Sequence, residues 1–197
     1  MSDLVMSTTL RAFFKSLLEE VVEHQRLELT EVAEFYLVNL LSEFTTAEKL
    51  FTRDEAGRKD TEPLAFLYHR ALQQARDERI RTLRQLGDVS LYRAGFFSGS
   101  LRETVVGANY YIQMGGAAYD QVADLAPAGG FASVYRELAE KFTRLVAVLE
   151  EIAAKGLASA GPSGTLKVYE SWQRTGAPGL ARVLVDAGVL PKKGLPN

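Results

Sequence analysis

Leu10, Phe13, Phe14, Leu17, Leu18, Val21 and Val22 recur at the i, i+3, i+4, i+7 spacing of one helix face. Ser7 or Thr8 can cap that helix. The next segment, Glu31 to Phe44, is apolar almost all round, which predicts a central helix. Asn39 in its middle needs a hydrogen-bond partner if buried. Thr45-Thr46-Ala47-Glu48 has capping-box spacing and predicts a fresh short helix. After the charged stretch 52–61, Thr61 and Pro63 mark a new start. Leu64, Leu67, Tyr68, Ala71, Leu72 and Ala75 form its stripe. An end is expected at Leu86-Gly87, with Asp88 capping a short helix through Val89, Tyr92, Phe96 and Phe97, where valine, leucine and tyrosine also permit a strand. A helix over about Ala108 to Leu125 follows, with Tyr111, Met114, Ala118, Tyr119 and Val122 on one face. APAGG at 126–130 breaks it. Phe131, Val134, Tyr135, Leu138, Phe142, Leu145, Val146, Leu149 and Ile152 then predict one long helix.

Residues 156–164, GLASAGPSG, read as a small-residue linker. Two shorter helices are expected near Thr165 to Arg174 and Pro178 to Ala187. The fold expected is all-α: a single-domain helical bundle of about seven to eight helices with a short C-terminal helical appendage. The bundle takes 1–155, the linker 156–164, and the appendage 165–197.

The densest stretch runs from Gly87 to Ala123. It sets glycines among Tyr92, Phe96, Phe97, Tyr110, Tyr111 and Tyr119. Glycine beside large rings implies close approach next to bulky packing. Gly115-Gly116 inside a helix costs stability, so both are expected to be buried against another backbone. The rings fill a core on the plainer reading. On the functional one, Asp88, Arg93, Asn109, Tyr110 and Gln113 supply polar ends around an apolar floor that includes Tyr92. These six are the candidate interaction or ligand site.

Chemistry is sparse. The absence of cysteine excludes disulfides, thiolate catalysis and cysteine-held metals, and it fits the cytoplasm. The net charge of −2 gives no bulk attraction to nucleic acid. Arg70, Arg76, Arg79, Arg81 and Arg84 could follow a phosphate backbone, but Asp77 and Glu78 interrupt them. A solvated helix face is the better reading. No apolar run approaches the ~18 residues of a membrane span, and the first twenty residues lack a secretory pattern. His24 and His69 are the only histidines. Valine at 21 and phenylalanine at 66 exclude a Glu-x-x-His pair of the di-iron kind. Ser98 and Ser100 lie in no Gly-x-Ser-x-Gly elbow. No catalytic residue, metal or cofactor is assigned.

Two resemblances bear on this. LGDVSLYRAGFF followed by NYYIQMGGAAYDQVA resembles an uncharacterised family of bacterial proteins of similar length, most strongly over 86–123. It implies a bacterial, soluble, helical protein and no particular activity. An N-terminal histidine with a later glycine-rich helix is faintly similar to the haem oxygenases. That likeness implies His24 as axial ligand and Gly115-Gly116 on the distal helix. The family's Gly-Asp-x-x-Gly-Gly pattern is missing. The expectation is a non-catalytic cytoplasmic module that binds a protein partner or itself. A small-molecule or haem-binding protein with a pocket between helices, acting even as an enzyme, is the alternative.

Overall fold

The computed structural model describes residues 2–51, 63–97, 107–127, 129 and 131–192. Among them every regular element is a helix: α1 Ser2–His24, α2 Glu31–Phe51, α3 Leu64–Gln73, α4 Arg76–Phe96, α5 Ala108–Leu125, α6 Phe131–Glu140, α7 Phe142–Ser159, α8 Pro162–Thr175 and α9 Pro178–Asp186. None is long and apolar enough to cross a membrane. The stretch 52–61, Thr61, Ser98, Ser100 and residues 193–197 lie outside the described residues.

One hydrophobic cluster runs from Phe14 to Ile152 and takes in α1 to α7. At its centre α4 packs on α5 and α7, and α5 packs on α6. The predicted stripes of α1 and α3 face this core. Phe14, Leu18, Val21 and Val22 are buried on α1, and Leu64, Leu67 and Ala71 on α3, whereas Leu72 and Ala75 of the predicted α3 stripe are exposed. Phe13 is the exception on α1: it is exposed and sits edge-on to Phe14. A second, smaller cluster joins Ala154 at the end of α7 to Val168 and Trp172 of α8 and Leu180, Val183 and Leu184 of α9.

Several boundaries differ from those expected; α1, for one, begins at Ser2, so Ser7 and Thr8 lie inside it and cap nothing. First, α2 runs through Thr45 to Phe51 without a fresh start. Nothing in that run breaks a helix, and a capping box inside continuous helix has no orphan N–H to satisfy. Second, the stop expected at Gly87 falls instead at Gln74-Ala75, where Gln74 turns extended (φ −88°, ψ 155°). Arg79 fixes that break by donating to the carbonyls of Ala71 (3.0 Å) and Leu72 (2.7 Å). Third, α6 and α7 part at Lys141. Its ammonium bonds the Glu28 carbonyl at 2.7 Å and Glu137 at 2.9 Å. Those bonds tie the corner to the α1–α2 turn. Fourth, α7 continues to Ser159, and the break before α8 holds only Ala160 and Gly161. Gly161 has φ +116°, a conformation that favours glycine, and Pro162 opens the next helix.

Gly87 continues mid-helix for a packing reason. A Cβ there would overlap the Tyr119 ring, at 2.9 Å from Cζ. The glycine pair of α5 divides. A Cβ at Gly115 would sit 2.7 Å from Ser90 Cβ and 2.8 Å from the Phe142 ring. At Gly116 the nearest atom, Phe142 Cβ, is 3.7 Å away, an ordinary contact. The close approach expected of both glycines therefore belongs to Gly115, and it is to side chains rather than to backbone.

Candidate functional site

The six residues of the sequence-derived site do not share one surface. Asp88 faces inward from α4. Its Oδ1 accepts hydrogen bonds from the Tyr36 hydroxyl (2.5 Å) and the Tyr119 hydroxyl (2.7 Å). Burial raises its pKa to about 6, against the opposing effect of those two bonds and of Arg84. Burial likewise pushes the Tyr36 and Tyr119 hydroxyls well above their ordinary value, with the Asp88 charge adding to it. Tyr135 closes the ring cluster, 5.5 Å from Tyr36 and 5.8 Å from Tyr119 between centroids. Asp88 thus joins α2, α4 and α5 from inside. Tyr92 is buried and stacked between Phe44 and Phe96. Arg93 is half-buried, with Nη1 3.5 Å from the Tyr111 hydroxyl. Asn109 and Gln113 are exposed on α5, and Tyr110 beside them is half-buried, edge-on to Tyr111.

A cleft that the sequence did not announce lies where α1, α7 and α9 meet. It encloses about 380 Å³. His24 and Gln25 line it from the end of α1, Glu150 and Glu151 from α7, and Gly179 and Arg182 from α9. Arg144 holds the α1–α2 turn in place, bonding the carbonyls of Gln25 (3.1 Å) and Arg26 (3.0 Å). Lys155 ties the same three helices lower down, 2.9 Å from Glu20 and 3.6 Å from Asp186. That hydrogen bond holds the Glu20 carboxyl below its ordinary range.

Glu151 is the anomaly of this cleft. Its side chain is 1% exposed, and Oε2 accepts a hydrogen bond from Gln25 Nε2 at 2.8 Å. Its other oxygen, Oε1, has no hydrogen-bond partner. The nearest cation-forming atom is His24 Nδ1 at 3.6 Å, beyond hydrogen-bond reach and itself unpartnered. A buried carboxylate is stable only with compensation from charge or hydrogen bonds. Some compensation comes from α9. Gly179 presses on Glu151 closely enough that a Cβ would come 2.7 Å from Oε2. The carboxylate therefore lies at the positive end of that helix. Ala177 gives α9 no side-chain cap, so its first N–H groups have no intrahelical acceptor.

The imidazole of His24 is 23% exposed. Its Nδ1 is the nitrogen turned to the carboxylate. Among the described residues no group of three or more His, Asp or Glu side chains could hold a metal. The two residues of the haem likeness face different stretches of α7. Gly115 packs on Phe142 and Ser90, whereas His24 faces Glu151, nine residues or roughly 13 Å further along α7.

Of this cleft, His24 stands out in the sequence as a candidate ligand, while Glu150-Glu151 reads there as an ordinary helix-surface carboxylate pair, which the burial of Glu151 corrects. Gln25, Glu151 and Arg182 carry no spacing motif, because they come from three helices. A signal did exist in Glu150-Glu151: one of two adjacent carboxylates falls on the apolar face beside Val148 and Ile152, where a charge needs a reason. No protein-family model, curated protein or solved structure matches this chain.

Proposed function

We propose that the protein is a non-catalytic binding module that takes a small molecule into the cleft between its helical bundle and its C-terminal helix pair. One observation carries this reading. Glu151 is a fully buried carboxylate with an unpartnered oxygen, set behind His24 at the floor of a cavity of ligand size. The lining supports binding rather than group transfer. It pairs apolar Ala147, Ala177, Pro178 and Leu180 with a few polar groups and includes no hydroxyl or thiol nucleophile. Occupancy would be felt by the C-terminal pair, since α9 forms one wall. A bacterial cytoplasmic setting, supported by the resemblance and by the lack of cysteine, belongs to the same proposal.

The test is a fragment screen on the full chain, read by backbone amide NMR. Binding should perturb His24, Gln25, Gly179, Leu180 and Arg182 together. Perturbations that map to other surfaces, or no hits at all, would reject the cleft as the site.

A second reading, docking of a protein partner or a second copy, has its own observation. Asn109 and Gln113 are exposed four residues apart on α5, with the half-buried ring of Tyr110 next to Asn109 in the chain. Sedimentation of the wild type against Tyr110→Ala tests it. An unchanged monomer in both would remove self-association.

A further inference from the structure

His24 Nδ1 and Glu151 Oε1 lie 3.6 Å apart, and neither has a hydrogen-bond partner. The gap is too wide for a hydrogen bond, whose N–O distance runs to about 3.2 Å. It is close to the separation of two ligands on one small ion. Zinc takes imidazole nitrogen and carboxylate oxygen at about 2.0–2.2 Å, so two tetrahedral neighbours lie about 3.4 Å apart. Adjacent ligands on an octahedral magnesium lie closer, about 3.0 Å apart. We infer that His24 and Glu151 form a site for a divalent ion of the zinc type, held between Nδ1 and Oε1 in the cleft.

The donor set agrees with the spacing. Imidazole suits zinc and its neighbours, whereas magnesium and calcium prefer oxygen alone. Glu151 is already oriented by its other oxygen. Gln25 Nε2 donates to Oε2 at 2.8 Å and to the Ala147 carbonyl at 3.2 Å, which leaves Oε1 as the ligating atom. An ion gives both orphan atoms a partner at once and brings positive charge to a carboxylate that is 1% exposed. Two protein ligands leave two tetrahedral positions to water or to a donor atom of a molecule in the cleft. That is one protein ligand fewer than a catalytic zinc keeps, so the ion is held reversibly and is no condition of folding. Bound, it ties the end of α1 to α7.

The inference rests on the cleft being open to binding, and its test is separate from the fragment screen. Fragments that bind without an ion leave the small-molecule reading standing alone, and an ion that binds without fragment hits leaves the metal site standing alone. Zn²⁺ is titrated into the full chain at weakly alkaline pH and followed by calorimetry. A single ion should bind per chain, and Mg²⁺ should not compete. Nitrogen NMR of the histidine side chains should identify Nδ1 of His24 as the ligated atom. Loss of an outer-shell partner alone typically costs roughly 10–100-fold in metal affinity, so His24→Gln and Glu151→Gln should each weaken Zn²⁺ by at least about tenfold. His69, exposed on α3, is the internal control, and His69→Gln should change nothing. Binding that survives His24→Gln would overturn the site and leave an adventitious ion only. Ligation through Nε2, or indifference to Glu151→Gln, would overturn it too, because the ion would then sit on the histidine without the carboxylate. So would a dissociation constant above about 1 mM for the wild type.

Discussion

Asp88 and Glu151 both carry a carboxylate that is drawn out of water, and their surroundings differ in kind. Asp88 sits in the middle of the bundle and receives two tyrosine hydroxyls on one oxygen, with Arg84 near enough to favour its charge. Glu151 sits at the edge, where the bundle meets the C-terminal pair, and has one oxygen with no donor. The first site is closed by its own residues and the second is not. A closed network specifies how helices meet, whereas an open one leaves chemistry available for something else. The contrast teaches that burial of an acidic group is not itself the mark of a functional site. The mark is burial without satisfaction beside a space that could supply the missing partner.

Replacing Asp88 should therefore produce the largest effect. Asp88→Ala leaves the Tyr36 and Tyr119 hydroxyls without their acceptor inside the protein. An abandoned buried polar group costs about 1–3 kcal/mol, so chemical denaturation should show a loss of roughly 2–5 kcal/mol. Asp88→Asn keeps an acceptor in the same place and should stay within about 1 kcal/mol of wild type at neutral pH. Equal losses for both variants would mean that the charge, rather than the acceptor, holds the network together.

The same site makes a pH prediction. Burial raises Asp88 from 3.8 to about 6, so the folded protein binds this proton more tightly than the unfolded chain does. The contribution is fully present below a pH of about 4 and is lost as pH rises through about 6. The stability of wild type relative to Asp88→Asn should fall by roughly 3 kcal/mol between those limits and weakly alkaline pH. Other groups on the neighbouring helices, among them Glu43 and Arg84, are common to both proteins and cancel in the difference. A difference that stays flat with pH would show Asp88 titrating as an ordinary surface carboxyl.

The two sites were unequally visible in the sequence. Helical periodicity placed α5 at its observed bounds, and the buried faces of α1, α3 and α7 follow it. Boundaries set by long-range contacts were not readable. Gly87-Asp88 has the local form of a stop, yet α4 runs through it. Tyr119 fills the space a Cβ would take at Gly87, and two distant tyrosines bond Asp88. The actual break after α3 depends on Arg79 reaching back to two carbonyls, which no local propensity records. Asp88 was singled out, but as a cap and an exposed polar end. Its partners at 36 and 119 lie too far away in sequence to be paired by spacing. The cleft was less visible still, because it is an intersection of three helices rather than a motif.

The glycine pair of α5 sharpens the comparison from the closed side. At Gly115→Ala the new methyl meets Ser90 and the buried Phe142 ring, neither of which has room to move. Overpacking of about 1–3 kcal/mol is expected. Gly116→Ala meets nothing nearer than 3.7 Å. There the gain in helix propensity should dominate, a stabilisation of up to about 1 kcal/mol. Thermal melts of the two single variants should move in opposite directions. Parallel shifts would mean that the space around Phe142 is not as tight as the structure has it.

The smallest stability effect should come from Glu151→Gln. The substitution keeps a carbonyl oxygen for Gln25 to donate to, keeps nearly the same volume, and removes the charge. What it loses is favourable placement at the start of α9, a term of about 0.3–1 kcal/mol. What it relieves is the desolvation of a carboxylate oxygen that no donor reaches. The two nearly cancel, so urea denaturation followed through Trp172 should find Glu151→Gln within about 1 kcal/mol of wild type. A loss of 3 kcal/mol or more is what breaking a buried ion pair costs, roughly 3–5 kcal/mol. That outcome would identify His24 and Glu151 as a charged clasp fastening the C-terminal helices. Glu151 would then be as closed a site as Asp88, held by its own histidine rather than waiting for a ligand.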